Sequence, residues 1–373
     1  MVAEARSAVF APDSFKGSIG AAAAAAALAA GWGSVRPADL IVLRPVADGG
    51  EGTLDAFAAA VPGAQRMSVV VRGPDGRATD ASWLLLPSTP EASLGTAVVE
   101  LASTSGMELL GDRRLPWDAD TTGFGQAIVA ALDSGVSRLV LGIGSSASTE
   151  GGIGLLTALG ARFTDAAANP VAPGARGLLS LADADLEGLR PLPPGGVLVL
   201  SDVTNPLLGL AGAAAVFGPQ KGLGRDDVPR VDDGLSRLAG LLPADPQTPG
   251  AGAAGGTGFA LLAWGARLVP GAAEVAELVG LRDALAEASV VITGEGSYDG
   301  QSAAGKAPAH VAALATESGV PVALAAGRIT EDASTSAFAA TVSLTDLAGS
   351  TTAALHEPAR WLREAGAVLA RSL

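Results

Sequence analysis

The stretch "LIVLRPVADGGEGT", residues 40–53, passes from an apolar run into a loop of glycines and acids. A short apolar run that ends in such a loop indicates a buried strand, and the pattern over 53–60 indicates a helix behind it. The segment "SAVFAPDSF", residues 7–15, with the alanine-rich run over 18–32, repeats the order of strand, loop and helix. Two such units in succession predict an α/β fold with a parallel sheet.

The pattern changes after residue 65 and later returns. Two extended runs flank the turn "GPDGR", residues 73–77, and predict a hairpin. A helix predicted over 122–133 and a buried strand, "SRLVLGIG" at 137–144, resume the parallel pattern. Because strand-rich residues separate two α/β portions, we expect two α/β domains. One is discontinuous, over 1–65 with 285–373, and the other covers 66–284.

Later segments carry more specific expectations. Residues 241–258 are rich in glycine and proline and predict a loop. Residues 272–288 predict one amphipathic helix, and 353–371 predict the closing helix. The strand "SVVITGEG", residues 289–296, is expected to run into a polar loop.

The composition limits the possible partners and chemistry. The formal charge of −14 argues against attachment to nucleic acid or to an anionic membrane surface. Cysteine is absent, which excludes disulfides, zinc–thiolate sites, iron–sulfur clusters and cysteine nucleophiles. The first residues lack the apolar core of a signal peptide, and the alanine run over 21–27 is too short to span a bilayer. We therefore expect a cytoplasmic protein, either a monomer or a homodimer.

The lysines are few and share one setting. Of the 24 basic residues only three are lysines, Lys16, Lys221 and Lys306, and each stands directly beside a glycine. A lysine ammonium is a compact point charge on a flexible stem, which suits phosphate. Glycine lets the backbone approach a ligand closely. We therefore expect each lysine to meet a small anion.

Most polar, glycine-rich stretches follow a predicted strand, and each carries an acid or a hydroxyl. In open parallel sheets, ligands bind beyond the carboxyl ends of the strands. If the strands are parallel, these loops share one rim. The loops are "PDSFKGS" at 12–18, "ADGGEGT" at 47–53, "GIGSSASTEGG" at 142–152, "SDVTNPLLG" at 201–209 and "TGEGSYDGQ" at 293–301.

The loop over 142–152 supports two different chemistries. Gly142, Gly144 and Ala147 fit the relaxed dinucleotide fingerprint G-x-G-x-x-A, with Asp165 downstream as a ribose acid. That pattern favours a nicotinamide-dependent dehydrogenase. The hydroxyls and backbone amides of the same loop are instead suited to hold phosphate. The stretch "GQSAAGK" at 300–306 nearly completes a P-loop but lacks the final hydroxyl, so we expect only its lysine to neutralise phosphate.

The acids provide the remaining parts of a site. Asp48 and Glu51 stand together in one glycine loop, where they could take Mg²⁺ or accept a proton from a substrate hydroxyl. Asp13 and Asp299 are expected to do no more than cap turns. Acids, lysines, glycine loops and hydroxyls, without cysteine or histidine in these loops, favour phosphoryl transfer.

Several stretches together resemble the glycerate kinase type I family. They occur in the family's order and extend from residue 11 to residue 308. They are "APDSFKGS", "PVADGGEGT", "GIGSSASTEGG", "SDVTNPLLG", "GAAAVFGPQKG", "GAAGGTG" and "TGEGSYDGQSAAGKAP". The resemblance implies an enzyme that phosphorylates a small molecule, D-glycerate, with ATP and Mg²⁺. It also implies two α/β domains, one flavodoxin-like or Rossmann-like with a mostly parallel sheet, with the active site in the cleft between them.

The resemblance also implies roles for individual residues. The catalytic group comprises Lys16 and a base, which is Asp48 or Asp202. The metal ligands are Glu51 and Glu295. The nucleotide is bound by Ser145, Ser146, Gly255, Gly256 and Lys306. The substrate is bound by Ser14, Gly49, Gly50, Asn205, Gln220 and Lys221.

Two kinds of alternative stay open. The family favours 2-phosphoglycerate as the product, but 3-phosphoglycerate or another small hydroxyacid is compatible with the same residues. The family's serine loop usually reads G-I-G-G-S-A-T-N-D-G-G, and this chain departs from it at Ser145, Ser148, Thr149 and Glu150. Ser297 stands where a basic residue is common. These departures leave room for a non-catalytic anion-binding homologue.

Overall fold

The structure is a computed structural model that describes residues 6–300 and 307–373. The chain divides into two compact units. The first unit comprises Met1–Asp48, Asp55–Pro62 and Ala272–Leu373, and the second comprises Gly49–Leu54 and Gly63–Gly271. The predicted domains, 1–65 with 285–373 and 66–284, stay a proposal about which parts of the chain fold together.

The strands and helices of the described residues alternate along most of the chain. The strands are β1 Ser7–Pro12, β2 Leu40–Leu43, β3 Gln65–Arg72, β4 Ala78–Leu86, β5 Thr96–Glu100, β6 Arg138–Gly142, β7 Arg162–Thr164, β8 Asp183–Asp185, β9 Val197–Leu200, β10 Arg267–Val269, β11 Val290–Tyr298, β12 Val322–Ile329 and β13 Ala340–Ser343. The helices are α1 Ala21–Val35, α2 Thr53–Ala60, α3 Ala102–Ser105, α4 Thr122–Asp133, α5 Ile153–Ala158, α6 Ala175–Ser180, α7 Ala213–Phe217, α8 Val228–Leu241, α9 Ala253–Trp264, α10 Gly271–Leu278, α11 Leu281–Ala286, α12 Ala307–Glu317, α13 Leu344–Ala348, α14 Thr351–His356 and α15 Pro358–Ser372.

The first unit is built on a five-stranded sheet in the order β13-β12-β11-β1-β2. Every neighbouring pair in this sheet is parallel. Counted along the unit's own strands, the order is the 2-1-3-4-5 of flavodoxin-like folds. The α/β fold with a mostly parallel, flavodoxin-like sheet is therefore confirmed. The direction of strand addition reverses between β1 and β11, and such switch points are where ligands bind in these folds.

Small residues set the packing of helices α1 and α15 against each other. A Cβ at Gly31 would lie 1.8 Å from the carbonyl oxygen of Arg363, and one at Gly366 would lie 2.1 Å from that of Leu28. The two helix backbones therefore meet without intervening side chains. The larger apolar groups fill the space between α1 and the sheet, where Phe10 and Trp32 make an edge-to-face pair at 6.1 Å.

The second unit contains a six-stranded sheet in the order β10-β9-β6-β5-β4-β3. The pairs from β10 to β5 are parallel, while β3 and β4 form the predicted antiparallel hairpin. Strands β7 and β8 form a separate two-stranded sheet. The hydrophobic core of the second unit includes the fully buried side chains of Phe124, Leu139, Leu141, Leu155 and Phe259.

Local sequence signals gave several element bounds correctly and others wrongly. The helices predicted over 53–60 and 122–133 are confirmed. The loop predicted over 241–258 is wrong at its end, because α9 begins at Ala253 and is largely buried. Ala254, Gly255 and Gly256 adopt left-handed conformations inside it, so the glycine run makes a kink within a helix.

Two predicted helices are each divided. The helix predicted over 272–288 is broken at Gly280, whose φ of +69° ends α10 and precedes α11. The closing helix predicted over 353–371 is two helices, and the second begins at Pro358. Proline tolerates the first turn of a helix because its missing N–H has no helical partner there.

The five polar loops do not share one rim, because they follow strands of two different sheets. The loops after β1, β2 and β11 follow strands of the first unit's sheet, and those after β6 and β9 follow strands of the second unit's sheet. Within the loop after β2, however, residues 49–53 belong to the second unit. Strand β11 also continues to Tyr298, so Glu295 and Ser297 lie in the strand rather than beyond it. No helix among residues 6–300 and 307–373 is long and apolar enough to cross a bilayer.

Candidate active site

Lys16 and Asp48 meet at the edge of the first unit's sheet. The Nζ atom of Lys16 lies 3.6 Å from Oδ2 of Asp48, and the side chains are 83% and 38% exposed. Lys16 follows β1 and Asp48 follows β2, so two neighbouring parallel strands bring the pair together. An exposed ammonium beside a carboxylate at the end of parallel strands is positioned to meet an anionic ligand from solvent.

A tight turn presents Lys16. Phe15 is buried, and its N–H donates to the carbonyl oxygen of Ile19 at 2.9 Å, which closes the turn. Gly17 has a φ of +74°, a conformation that glycine adopts without the strain of a side chain. The glycine beside this lysine therefore shapes the turn, and the lysine side chain is left in water.

Asp13 lies at the switch point between β1 and β11. Its Oδ1 accepts the N–H of Ser14 at 2.6 Å, and its own N–H donates to Gly294 at 2.8 Å. Burial, reinforced by the nearby charges of Asp48 and Glu295, raises the pKa of Asp13 to about 7. The carboxyl group thus makes the capping contact that the sequence predicted, and its raised pKa sets it apart from an ordinary exposed cap.

Ser14 and Glu295 lie at the same edge. Ser14 is half-buried beside Asp13, and Glu295 is buried within β11, paired in register with Ala326 of β12. A Cβ at Gly296 would lie 3.3 Å from the backbone nitrogen of Lys16, so this glycine lets the loop lie on the strand. The first unit therefore brings Ser14, Lys16, Asp48 and Glu295 to one edge.

Gly49 and Gly50 belong to the second unit and pack against protein. The N–H of Gly144 donates to the carbonyl oxygen of Gly49 at 2.9 Å. A Cβ at Gly144 would lie 2.5 Å from the Cα of Gly50, and one at Gly142 would lie 2.6 Å from the oxygen of Gly49. The backbone therefore occupies the space that the pyrophosphate of a dinucleotide would need beside these glycines. This packing opposes the nicotinamide-dependent alternative.

Lys221 is buried beneath the loop that follows β6. Lys221 is only 3% exposed. Its Nζ donates to Oγ of Ser146 and to the carbonyl oxygen of Ser148, both at 2.6 Å. Burial lowers the pKa of this ammonium to about 7. Gly255 adopts a left-handed conformation against the same loop, and a Cβ there would lie 3.0 Å from Nζ. The second unit thus brings Ser146, Gly255 and Lys221 together.

The neighbouring predicted nucleotide residues have structural constraints of their own. Ser145 has a φ of +60°, which is uncommon for a residue other than glycine, and its carbonyl oxygen accepts the N–H of Met107 at 2.9 Å. Gly256 also has a positive φ, and a Cβ there would lie 2.8 Å from the Cα of Gly151. Lys306 lies outside the described residues.

Glu150 holds the base of this loop in place. It is fully buried and accepts the backbone N–H groups of Thr121 and Gly154, each at 3.1 Å, as well as the Thr121 hydroxyl. Burial, with the nearby charge of Asp120, raises the pKa of Glu150 to about 7. The carboxylate that replaces the family's usual aspartate therefore ties the starts of α4 and α5 together.

Three predicted catalytic or substrate residues lie on other loops of the second unit. Asp202 follows β9, and its Oδ1 accepts the N–H of Gly271 at 2.8 Å. Asn205 donates through Nδ2 to the carbonyl oxygen of Ala211 at 2.8 Å. Gln220 is exposed, whereas Lys221 beside it is buried. The short helical turn over Pro219–Lys221 therefore points these two neighbours in different directions.

Glu51 forms a carboxyl pair that the sequence did not predict. A hydrogen bond with Glu108, aided by burial and the charges of Glu108 and Glu100, raises the pKa of Glu51 to about 7. Glu100 ends β5, is buried, and accepts the N–H of Leu54 at 3.0 Å. Glu51 lies in the second unit and the other predicted metal ligand, Glu295, in the first.

Sequence reasoning missed several residues of these clusters. They are Glu100, Glu108 and Thr121, together with Asp13, for which the sequence predicted only a turn cap. One of them carried a usable signal, because Asp13 stands at the carboxyl end of a predicted strand. Glu108 and Thr121 gave none, since only the folded chain brings them to Glu51 and Glu150.

Comparison with known proteins places the chain in a family. The family model described as the glycerate kinase family matches residues 8–373. A protein named glycerate 2-kinase from Escherichia coli K12 is 41% identical over 332 residues, 87% of this chain and 86% of that protein. A glycerate kinase from Halalkalibacterium halodurans is 39% identical over 86% of this chain and 85% of its own length.

A solved structure is similar over almost the whole chain. It is the crystal structure of a protein provisionally named glycerate kinase 2 from Salmonella typhimurium LT2, with a TM-score of 0.84 and 38% identity. The match covers 99% of this chain and 98% of that one. Fold, site and relatives together define an α/β phosphotransferase. Within that class, the chain belongs to the glycerate kinase family.

Proposed function

We propose that this protein transfers the γ-phosphoryl group of ATP to the 2-hydroxyl of D-glycerate, giving 2-phosphoglycerate and ADP. The observation that carries the proposal is the Lys16–Asp48 ion pair beside the β1–β11 switch point of a flavodoxin-like sheet. Membership of the glycerate kinase family supports the substrate, and the relative named glycerate 2-kinase supports the position of the phosphoryl group. The substrate is a small molecule, and a cytoplasmic location stays a prediction.

The transfer needs a base for the substrate hydroxyl. The bond from the hydroxyl oxygen to phosphorus forms, the bond from phosphorus to the β–γ bridging oxygen breaks with its electron pair, and the hydroxyl proton passes to a carboxylate. Asp48 and Asp202 are the two candidates. Asp48 has the ammonium of Lys16 nearby, and Asp202 is oriented by the N–H of Gly271. Both stay proposals.

The remaining predicted residues divide between nucleotide and substrate. We propose that Ser145, Ser146, Gly255, Gly256 and Lys306 serve the nucleotide, and that Ser14, Asn205, Gln220 and Lys221 serve D-glycerate. Gly49 and Gly50 were predicted to touch the substrate, and we propose that their role is to seat their loop against Gly142 and Gly144. Lys16 would attract the anionic ligand and neutralise charge that develops during transfer.

The carboxylates fit a magnesium ion. Mg²⁺ prefers oxygen ligands and is usually bound through one or two carboxylates together with substrate phosphates and water. No group of three or more acids or histidines among the described residues has the arrangement of a protein-only metal site. Glu51 and Glu108 need a proton between them near neutral pH, and a divalent cation could replace it. Glu51 and Glu295 would supply oxygen ligands, and bound Mg²⁺ would neutralise phosphate charge.

The test is phosphorus NMR of the products formed from D-glycerate and Mg-ATP. A 2-phosphoglycerate resonance that grows with ADP supports the proposal. A 3-phosphoglycerate resonance would assign the other hydroxyl, and turnover with a different hydroxyacid alone would change the substrate. Absence of any phosphorylated product, with the protein folded, would favour the non-catalytic homologue.

The base is identified by two matched variants. Asp48→Asn and Asp202→Asn each remove one carboxylate at nearly constant shape, and loss of the true base should lower kcat about 10²–10⁴-fold. The other variant should change KM more than kcat. Near-normal turnover of both variants would show that neither residue is the base.

A further inference from the structure

The loop that follows β6 encloses two hydroxyl groups that the proposed function leaves unused. Ser148 and Thr149 are fully buried, and within the described residues neither Oγ of Ser148 nor Oγ1 of Thr149 has a hydrogen-bond partner. A buried hydroxyl without a partner destabilises a fold by about 1–3 kcal/mol. Such groups in a native structure require an explanation, and one explanation is a partner that arrives with a ligand.

Lys221 lies against the same loop and has a donor to spare. An ammonium carries three N–H donors. Two of them go to Ser146 Oγ and to the carbonyl oxygen of Ser148, and both acceptors are uncharged. A buried ammonium without a counter-charge is unfavourable, and an incoming anion supplies that charge.

The described charged groups around Lys221 do not supply a counter-charge. Glu150 is on the same loop, but its carboxylate is held by Thr121 and Gly154. Arg114 lies beside Gly222 with the same charge sign as Lys221. Helix α9, which packs on the loop through Gly255, contributes no charged side chain over 253–264.

We propose that Lys221, Ser148 and Thr149 form a buried anion subsite for a carboxylate or phosphoryl group. The inference rests on the proposed function for the identity of the anion, which is the carboxylate of D-glycerate or a phosphoryl group of the nucleotide. Ser148 and Thr149 donate their hydroxyl protons to the anion, and Lys221 supplies its third N–H and its charge.

Proton uptake follows from the surroundings of the lysine. Burial holds the pKa of Lys221 near 7 in the ligand-free protein, so at pH 8 the amine is mostly neutral. An anion within hydrogen-bond distance favours the charged form and raises the pKa. Binding at pH 8 should therefore take up close to one proton, on the order of 0.5–0.9 per site.

The test is titration calorimetry of the full chain at pH 8 in Tris and in HEPES, whose ionisation enthalpies differ. D-glycerate is the probe in one arm and the non-hydrolysable nucleotide AMP-PNP in the other. The arm whose apparent enthalpy depends on the buffer in the parent protein, and loses that dependence in Lys221→Met, identifies which anion occupies the subsite, because the terminal phosphoryl group of a nucleotide can itself exchange a proton near neutral pH. Lys221→Met should abolish the buffer dependence and weaken that ligand at least about 10-fold. Arg225→Met, the loss of an exposed charge nearby, should change neither.

The hydroxyl variants separate binding from structure. Thr149→Val and Ser148→Ala remove unpartnered buried hydroxyls, so thermal unfolding should stay unchanged or move upward. If the hydroxyls bind the anion, the same variants should weaken the responsive ligand about 5–10-fold. A purely structural role predicts unchanged affinity in both, and that result would overturn the proposal.

The outcomes also separate this inference from the proposed function. Buffer-independent binding of both probes, together with normal formation of 2-phosphoglycerate, would overturn the subsite and keep the kinase. Buffer-dependent binding of AMP-PNP without turnover of D-glycerate would keep the subsite and overturn the substrate.

Discussion

The two described lysines of this protein stand in similar sequence and in opposite surroundings. Lys16, after β1 of the first unit, is 83% exposed and lies 3.6 Å from an acid. Lys221, in the second unit, is 3% exposed and hydrogen-bonds a hydroxyl and a carbonyl group. Both stand beside glycine, and both were predicted to meet an anion. Residue type and spacing therefore select candidate residues, while burial decides how each candidate interacts with a ligand.

The electrostatic consequences differ accordingly. An exposed ion pair is worth little to stability, so Lys16 is free to serve a ligand. A buried ammonium without a counter-ion opposes folding, so Lys221 stores an unfavourable interaction that a ligand can relieve. The first unit gathers acids around its lysine, and the second gathers hydroxyls.

The exposed lysine should matter for catalysis and not for stability. Lys16→Met should lower kcat/KM for D-glycerate about 10²–10³-fold, because a preorganised charge near the developing phosphoryl charge is lost. The melting temperature should hardly change. Steady-state kinetics and thermal unfolding measure the two effects. Arg363→Met, an exposed charge removed from α15 of the same unit, is the control and should change neither. Normal turnover of the Lys16 variant would show that Lys16, at the strand ends of the first unit's sheet, is not part of the active site.

The buried acid of the second unit should make stability depend on pH. The pKa of Glu150 is about 7 in the folded protein against 4.5 ordinarily, so the folded state holds this proton more tightly. The stability that this raised pKa contributes is fully present below about pH 4.5 and is lost as the pH rises through about 7. The total change in unfolding free energy is about 3 kcal/mol. Denaturant unfolding between pH 5 and pH 8 measures it.

The matched variants isolate that carboxyl group. Glu150→Gln cannot ionise and should reduce the loss of stability between pH 5 and pH 8 by about 2–3 kcal/mol. The part that Asp13 and Glu51 contribute should remain, because their pKa values are also raised to about 7. Glu91→Gln changes an exposed glutamate of the same unit and should retain the full loss. An unchanged profile in Glu150→Gln would assign the dependence to another group.

The glycine contact between the loops after β2 and β6 should tolerate no side chain. Gly144→Ala places a Cβ 2.5 Å from the Cα of Gly50, and the displacement should cost about 1–3 kcal/mol of unfolding free energy. Gly240→Ala, in α8 with nothing within 4 Å, should instead stabilise by about 0.5–1 kcal/mol. Urea unfolding compares the two. Equal stability would mean that the loops separate at no cost.

The turn of Lys16 should depend on conformation rather than on space. A Cβ at Gly17 meets nothing within 4 Å, but its φ is +74°. Gly17→Ala should therefore cost about 1–2 kcal/mol through backbone strain. Gly17→Asn should cost less, because asparagine tolerates the left-handed region better. Thermal unfolding of the two variants checks the order. Equal costs would indicate that strain is not the cause.

Much of the fold followed from local patterns. The period of apolar residues predicted the helices over 53–60 and 122–133, the hairpin around 73–77, and the alternation that produces parallel sheets. The family was also readable, because its motifs are short, specific and in order. Predictions failed where glycine or proline interrupts a helix, at Gly255, Gly280 and Pro358. There the local signal for a break is the same whether the chain leaves the helix or only kinks.

From the sequence alone, the rare lysines beside glycines, the acids and the hydroxyls were predicted to carry the chemistry. The sequence could not show that the polar loops follow strands of two sheets. Nor could it show that Lys221 is buried against Ser146, 75 residues away along the chain. The cause is the distance along the chain over which each kind of interaction acts. Helix and strand signals act between near neighbours, whereas burial and charge pairing depend on residues that are brought together only when the sheets form.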